Sequence, residues 1–541
     1  MLALLIVPPA LLGAPRGDPK DPDVRLQTLG DEFVARRLAR APHAAPRGGV
    51  HAGEPLARTV TALTLAEDLA WLRDFRDRLA AVPHDEPAGE RASARALLDA
   101  AVDRELLELE VLRPFQRDPG AYVALVAGSV EAALDRSSGS PCSRLQRAAR
   151  RLAEVPEVLR AARLNLKDPP RIFTELAIER FAGVLRFYRE DVPRLTAGCR
   201  SARMQADLAQ ADTIAVRAVA AFLSYLEEDL LPASRGEPAI GPDACRRLLR
   251  GALVAEVAPI ETLLAAGTHL VAARRAELEA LAPLVAVGGV RAALDSLASE
   301  RPLDGDAVAH VRRGIGRVEE FLRMREVVSI PARMDPSAGV GAAVGGVELG
   351  RLNRWETDLA VAHEGLPGRH LRALALRGAP SPLRRALQET WPGEDWGQYC
   401  ERMMLDEGYG GDDPRYRLAG AVRALRHAGR ALAALALHAG AMSEDEARRM
   451  LEDRCLLDPA EAVRETRWAA ADPARMGYTL GAQRLRELQE EARRRLGPRF
   501  RTRTFHDAVL RCGASPPGIV RDRLWLELTD AAGAKLPGAG P

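Results

Sequence analysis

Apolar residues return every three or four positions along most of this chain, and that period constrains its fold more than any other feature. Residues 63–79, 91–112, 143–166, 170–188, 201–231 and 307–327 each carry an apolar stripe of helical spacing, and further helices follow over 244–281. Ala, Leu, Arg and Glu dominate, while aromatics make up only 4% of the chain. Those side chains lose little rotamer freedom on a helix, so propensity and periodicity agree. Between the stripes lies turn chemistry: Asp118-Pro119-Gly120 is a turn, and Gly408 suits the end of a helix over 394–406. Ser443 with Glu446, and Asp458 with Pro459 and Glu461, read as helix starts. Only 328–350, rich in Gly and Val, suits strands, and it predicts at most a short β-hairpin. The expectation is an all-α fold.

The 541 residues allow two to four compact units or one large helical body. We expect a leader or possible signal segment at 1–22 and a single helical domain over 23–528, with lobes near 23–327 and 328–528. A disordered tail is expected at 529–541. The leader's apolar run is too short to span a bilayer, and no Lys or Arg precedes it. Export to the periplasm and a cytoplasmic location therefore stand level, and no integral membrane segment is expected elsewhere. A hydrophobic content of 47% excludes global disorder. Lys and Arg number 77 against 75 Asp and Glu, interleaved along the helices, so nucleic acid is not an expected partner. Six cysteines lie far apart with no CxxC pair, which argues against a thiolate zinc site or a disulfide scaffold. Oligomeric state is not readable.

The segment richest in chemistry is Ala362-His363-Glu364-Gly365-Leu366-Pro367-Gly368-Arg369-His370-Leu371. His followed by Glu late in a helix is how many zinc peptidases begin: the imidazole binds the metal and the carboxylate takes a proton from metal-bound water. The second His usual four residues later is absent, and Pro367 stands there. On a continuous helix His370 would share a face with His363 about 10 Å along the axis. A kink at Pro367-Gly368 would bring the two rings closer. Taken alone, the pair also reads as an ordinary surface pair with a helix-capping His.

Further segments fall in order: Glu394 with Trp396-Gly397-Gln398-Tyr399-Cys400-Glu401, then Leu437-His438, Arg467-Trp468, Pro473 with Tyr478 and Gly481, and Phe505-His506-Asp507. With the His363-Glu364-Gly365-x-Pro367-Gly368 stretch, this series resembles domain-of-unknown-function family 885, a family of bacterial, zinc metallopeptidase-like helical proteins. The resemblance implies a large multi-helix body with a central cleft, related to zinc carboxypeptidases and oligopeptidases. It also implies zinc held by His363 and Glu394 with Glu364 as general base, and His370 is the expected third ligand, standing in for the His that the family has at Arg369. Tyr478 and Arg467 become candidates to hold a peptide's carboxylate or an oxyanion. Glu401 becomes a ligand or a support behind one, and His438 a further support; a surface carboxylate is the plain reading of Glu401, and core packing that of Tyr478.

Three positions depart from the family pattern. Arg369 stands where a His is expected, Arg372 where Gln is expected, and Ala434 where Asp is expected. A guanidinium cannot ligate a cation and repels one nearby. Two readings therefore stand: a zinc-dependent peptidase acting on short peptides, and a catalytically inactive relative acting as a peptide-binding or scaffold protein.

Overall fold

The computed structural model describes residues 18, 21–40, 59–83, 89–135, 139–300, 307–331, 352–377, 383–384, 387, 393–513 and 515–532. Among these residues every regular element is a helix, and the one β contact is an isolated bridge between Pro170 and Gly236. The all-α expectation holds. The hairpin expected near 328–350 falls outside the described residues from 332 onward, and residues 328–331 form no strand. The leader at 1–22 also falls almost wholly outside them. Of the tail expected to be disordered from 529, residues 529–532 belong to the last helix, Pro517–Ala532, and the rest falls outside the described residues.

Helix starts follow local chemistry. The Ser443 side chain accepts from the Glu446 backbone and the Glu446 carboxylate reaches back to Ser443, closing a capping box on Glu444–Cys455. Asp458 caps Pro459–Ala471, and Ser140 caps Pro141–Asn165, each satisfying an otherwise unpaired N–H. Three expected helices run into wide π turns at Glu108–Leu112, Phe187–Asp191 and Tyr225–Leu230. Each of these leads directly into a helical turn that has proline at its first or second position: Pro114, Pro193 or Pro232. Proline lacks the N–H and crowds the carbonyl four residues back, and the wider turn makes room for it.

Chain contacts define two compact units, one of Met1–Asp85, Ala101–Ile240 and Ser381–Glu389, the other of Glu86–Ala100, Gly241–Pro380 and Thr390–Pro541. The division falls at Gly241, where the sequence had suggested a boundary near 328. The first unit is centred on Tyr122, Phe181, Tyr188 and Phe222. Its two core phenols are satisfied internally: Tyr122 donates to the Phe115 carbonyl at 2.8 Å and Tyr188 to that of Val126 at 2.9 Å. This unit also corrects the cysteine reading. Cys142 and Cys199, 57 residues apart in sequence, form a disulfide because the start of helix Pro141–Asn165 lies against the turn at Cys199, with Cα atoms 4.7 Å apart. Nothing in their spacing announces that pairing.

The second unit holds its inner helices with a buried carboxylate. Asp358 is fully buried and takes two hydrogen bonds from Arg317, at 2.5 and 2.9 Å, and one each from Tyr409 and Tyr416 at 2.7 Å. A buried charge is tolerated only when satisfied this completely.

The disulfide has a direct check. Thiol titration of the denatured, unreduced protein is expected to count four cysteines, Cys245, Cys400, Cys455 and Cys512. A count of six would contradict the Cys142–Cys199 bond.

Candidate functional site

The site is built on helix Arg354–Glu364. Asn353 caps this helix by accepting from the Glu356 backbone N–H, and every residue from Trp355 to His363 is buried. The helix stops at Gly365, the Leu366–Pro367 peptide is cis, and a second helix begins at Arg369 and runs to Arg377. Gly368 is sterically obligatory, since a Cβ there would lie 1.8 Å from the His363 carbonyl oxygen. Helix Glu394–Asp406 packs on this corner. Trp396 donates its indole N–H to the Pro367 carbonyl at 2.9 Å. Gly397 lies under the His363 ring, where a Cβ would come within 2.4 Å of Nε2. The Trp-Gly pair thus serves as the seat of the imidazole.

The ring is oriented from behind. His363 Nδ1 lies 2.5 Å from Glu401 Oε1, and Glu401 is buried. Arg423 grips the same carboxylate with two bonds of 2.7 and 2.8 Å, and His427 Nε2 lies 3.1 Å from Oε1. Burial alone would raise the Glu401 pKa, but Arg423, His427 and His363 together hold it well below the usual carboxylate range. A carboxylate on one ring nitrogen fixes the orientation of the other, as it does behind metal-binding histidines.

His363 Nε2 faces the front of the site, 3.2 Å from Glu394 Oε2 and 3.8 Å from Glu364 Oε1. Burial disfavours the charged ring, yet hydrogen bonds and charge from Glu394 and Glu401 override it and lift the imidazole pKa to about 10. Glu394 shows the complement: burial opposes its charge, and His363 and Arg369 bring it down to about 2. The Arg369 guanidinium closes the front, with Nη1 2.7 Å from Glu394 Oε1 and 3.1 and 3.2 Å from the two Glu364 oxygens.

Of the residues expected at the site, the structure brings together His363, Glu364, Glu394 and Glu401. His370 does not join them: among the described residues, the ligand-atom groups within 4.8 Å of one another are His363–Glu364–Glu394 and His363–Glu401–His427. The new helix restarts at Arg369, so that side chain faces the carboxylates, and one step of about 100° turns His370 aside. Tyr478, half-buried on helix Arg475–Leu496, is near enough to Arg369 to act on its charge. Arg467 sits half-buried on Pro459–Ala471, a helix that contributes no residue to either ligand-atom group. His438 ends the long helix Pro414–His438 and lies 2.9 Å from the Ala469 carbonyl. It therefore clamps Pro459–Ala471, about 16 Å along the helix axis from His427.

Arg423 and His427 were missed as site residues, although their i, i+4 spacing on an otherwise Ala- and Leu-rich helix face was visible. Arg372 serves packing, bonding Asp395 at 2.9 Å and the Ser515 carbonyl at 3.1 Å. His506 serves packing as well. Its Nδ1 donates to the Val327 carbonyl at 2.8 Å, its Nε2 accepts from Tyr399 at 2.7 Å, and burial lowers its pKa to about 4.

Gly397→Ala is expected to drive a methyl into the His363 ring and cost about 1–3 kcal/mol, read as a lower denaturation midpoint. An unchanged midpoint would show that the ring is not seated there.

The fold recurs in solved structures. A solved structure titled "a putative lipoprotein of unknown function" from Shewanella oneidensis matches with a TM-score of 0.74 at 20% identity, covering 93% of this chain and 99% of that one. A second, "the putative lipoprotein from Colwellia psychrerythraea", matches with a TM-score of 0.76 at 16% identity, covering 94% and 100%. At such identities the likeness is one of fold. No curated protein matches the sequence. The family model described as "Bacterial protein of unknown function (DUF885)" matches residues 42–524, and the chain belongs to that family.

Proposed function

We propose that this chain binds peptides without hydrolysing them, its site closed by the Arg369 guanidinium where a zinc peptidase would hold its ion. The observation that carries this reading is the Arg369 bridge between Glu364 and Glu394, at 2.7 to 3.2 Å. The residues present do not fit zinc. Of the three expected ligands only His363 and Glu394 converge, and the side chain that reaches the third position is a cation. Glu364, Glu394 and Glu401 already face the guanidinium groups of Arg369 and Arg423, with the His363 ring between the carboxylates. Adding a dication to that set would leave uncompensated positive charge in a largely buried site.

Arg369, Glu364 and Glu394 keep 31, 21 and 25% side-chain exposure. One accessible guanidinium between two accessible carboxylates complements a zwitterion, pairing a peptide carboxylate with Arg369 and a peptide ammonium with a glutamate. A cleft of the zinc carboxypeptidase kind would supply the surrounding groove.

A second reading, a zinc peptidase, is favoured by one feature: ligand atoms of His363, Glu364 and Glu394 lie within 4.8 Å of one another, with Glu401 orienting the ring. It requires Arg369 to leave. Elemental analysis after dialysis against zinc separates the two readings. The wild type is expected to hold far less than one zinc per chain and to leave a short-peptide digest uncleaved. Arg369→His, which aims an imidazole at the same two carboxylates, is expected to hold about one zinc, as a closed three-ligand set requires. Stoichiometric zinc in the wild type, with cleavage lost in Glu364→Gln, would overturn the proposal.

A further inference from the structure

Residues 280–290 contain no charged side chain, and the turn they form holds Val287, the most exposed large apolar residue among the described residues. Helix Ile260–Leu281 passes through a short 3-10 turn, Ala282–Leu284, and the chain then bends by 73° into helix Gly289–Ala298. Gly288 and Gly289 make that reversal at φ of 115° and 80°, a region that side-chain-bearing residues avoid. The base of the knuckle is fixed, with Leu278, Ala282, Ala293 and Leu297 all buried. Its tip is bare: Leu284 is 64% and Val287 100% exposed. A single exposed apolar side chain is ordinary on a protein surface, but here two share one turn and no charged residue lies within the run 280–290.

We infer that this knuckle dips into the interfacial layer of a lipid bilayer, an interaction independent of the peptide-binding reading. Size favours lipid over protein. A stable protein interface needs about 800 Å² from each partner, far more than a convex tip of two large apolar side chains and a proline supplies. The same tip suits the boundary between headgroups and acyl chains, where burial of a few apolar side chains gives weak, reversible attachment. The two helices together carry the hydropathy of a membrane segment, yet no single helix among the described residues is long and apolar enough to cross one. The last two turns of Ile260–Leu281 carry Arg274, Arg275, Glu277 and Glu279 in ion pairs, so contact at the surface suits the knuckle better than a crossing. The Cys142–Cys199 disulfide agrees with a chain that works in an oxidising compartment such as the bacterial envelope, where membranes are at hand. With no charge between 280 and 290, attachment should depend little on lipid charge.

Dye labelling tests this site specifically, because the unpaired cysteines are all buried and a new surface cysteine reacts selectively. The full chain carrying nitrobenzoxadiazole at Val287→Cys is mixed with phosphatidylcholine vesicles, alone or with phosphatidylglycerol. Emission should shift to the blue with both, and dye at Leu63→Cys, an exposed position in the other unit, should not respond. Adding Leu284→Asp should weaken partitioning about tenfold or more, the equivalent of one buried leucine. An unshifted Val287 dye, whether or not the chain pellets with vesicles, overturns the inference. So does a shift that needs no vesicles and grows with protein concentration, which would mark a contact between protein copies.

Discussion

Two carboxylates brought to one edge of an imidazole in a protein interior need a cation between them, or one must take up a proton. Glu364 and Glu394 meet that condition beside His363, and Arg369 answers it. Much of the surrounding architecture exists to hold this meeting in place. The helix carrying His363 is capped by Asn353 and tied to its neighbours through Asp358. The facing helix gives up every side-chain atom at Gly397 so that the ring can lie against its backbone. Behind the ring, Glu401 spends its oxygens on His363, Arg423 and His427.

That arrangement gives the motifs read from the sequence a division of labour. His363, Glu364, Glu394 and Glu401 form the charged centre. Trp396, Tyr399, His506 and Asp507 hold the walls: Trp396 and Tyr399 stack at 5.3 Å, His506 lies edge-on to both, and Asp507 accepts from the backbone and hydroxyl of Ser329 at 2.9 and 2.6 Å. A chain can therefore keep the architecture of such a site while changing the single side chain that decides whether an ion is welcome. On the reading proposed above, Arg369 is that side chain.

Periodicity and propensity made the helices legible, and capping residues such as Ser443 and Asp458 marked their starts. The three π turns that precede prolines were not legible, because they depend on how each proline meets the helix before it and leave no mark in hydrophobic spacing. At the site, the pairing of His363 with Glu394 and Glu401 could be anticipated from motif order, and so could the conflict posed by Arg369. The helix restart could not. Bringing His370 to the same point as His363 requires a kinked but continuous helix, whereas the first helix ends at Glu364 and a separate one starts at Arg369. Arg423 and His427 stayed hidden because their meaning depends on Glu401, a partner on another helix. The Cys142–Cys199 bond was invisible for the same reason: it depends on tertiary proximity.

The most direct measurement is diffraction from crystals grown with zinc, with data collected on both sides of the zinc absorption edge. A site closed by a guanidinium predicts no anomalous peak beside His363 Nε2 and density for the Arg369 head between Glu364 and Glu394. A strong peak coordinated by His363 and Glu394, with Arg369 swung clear, would contradict it.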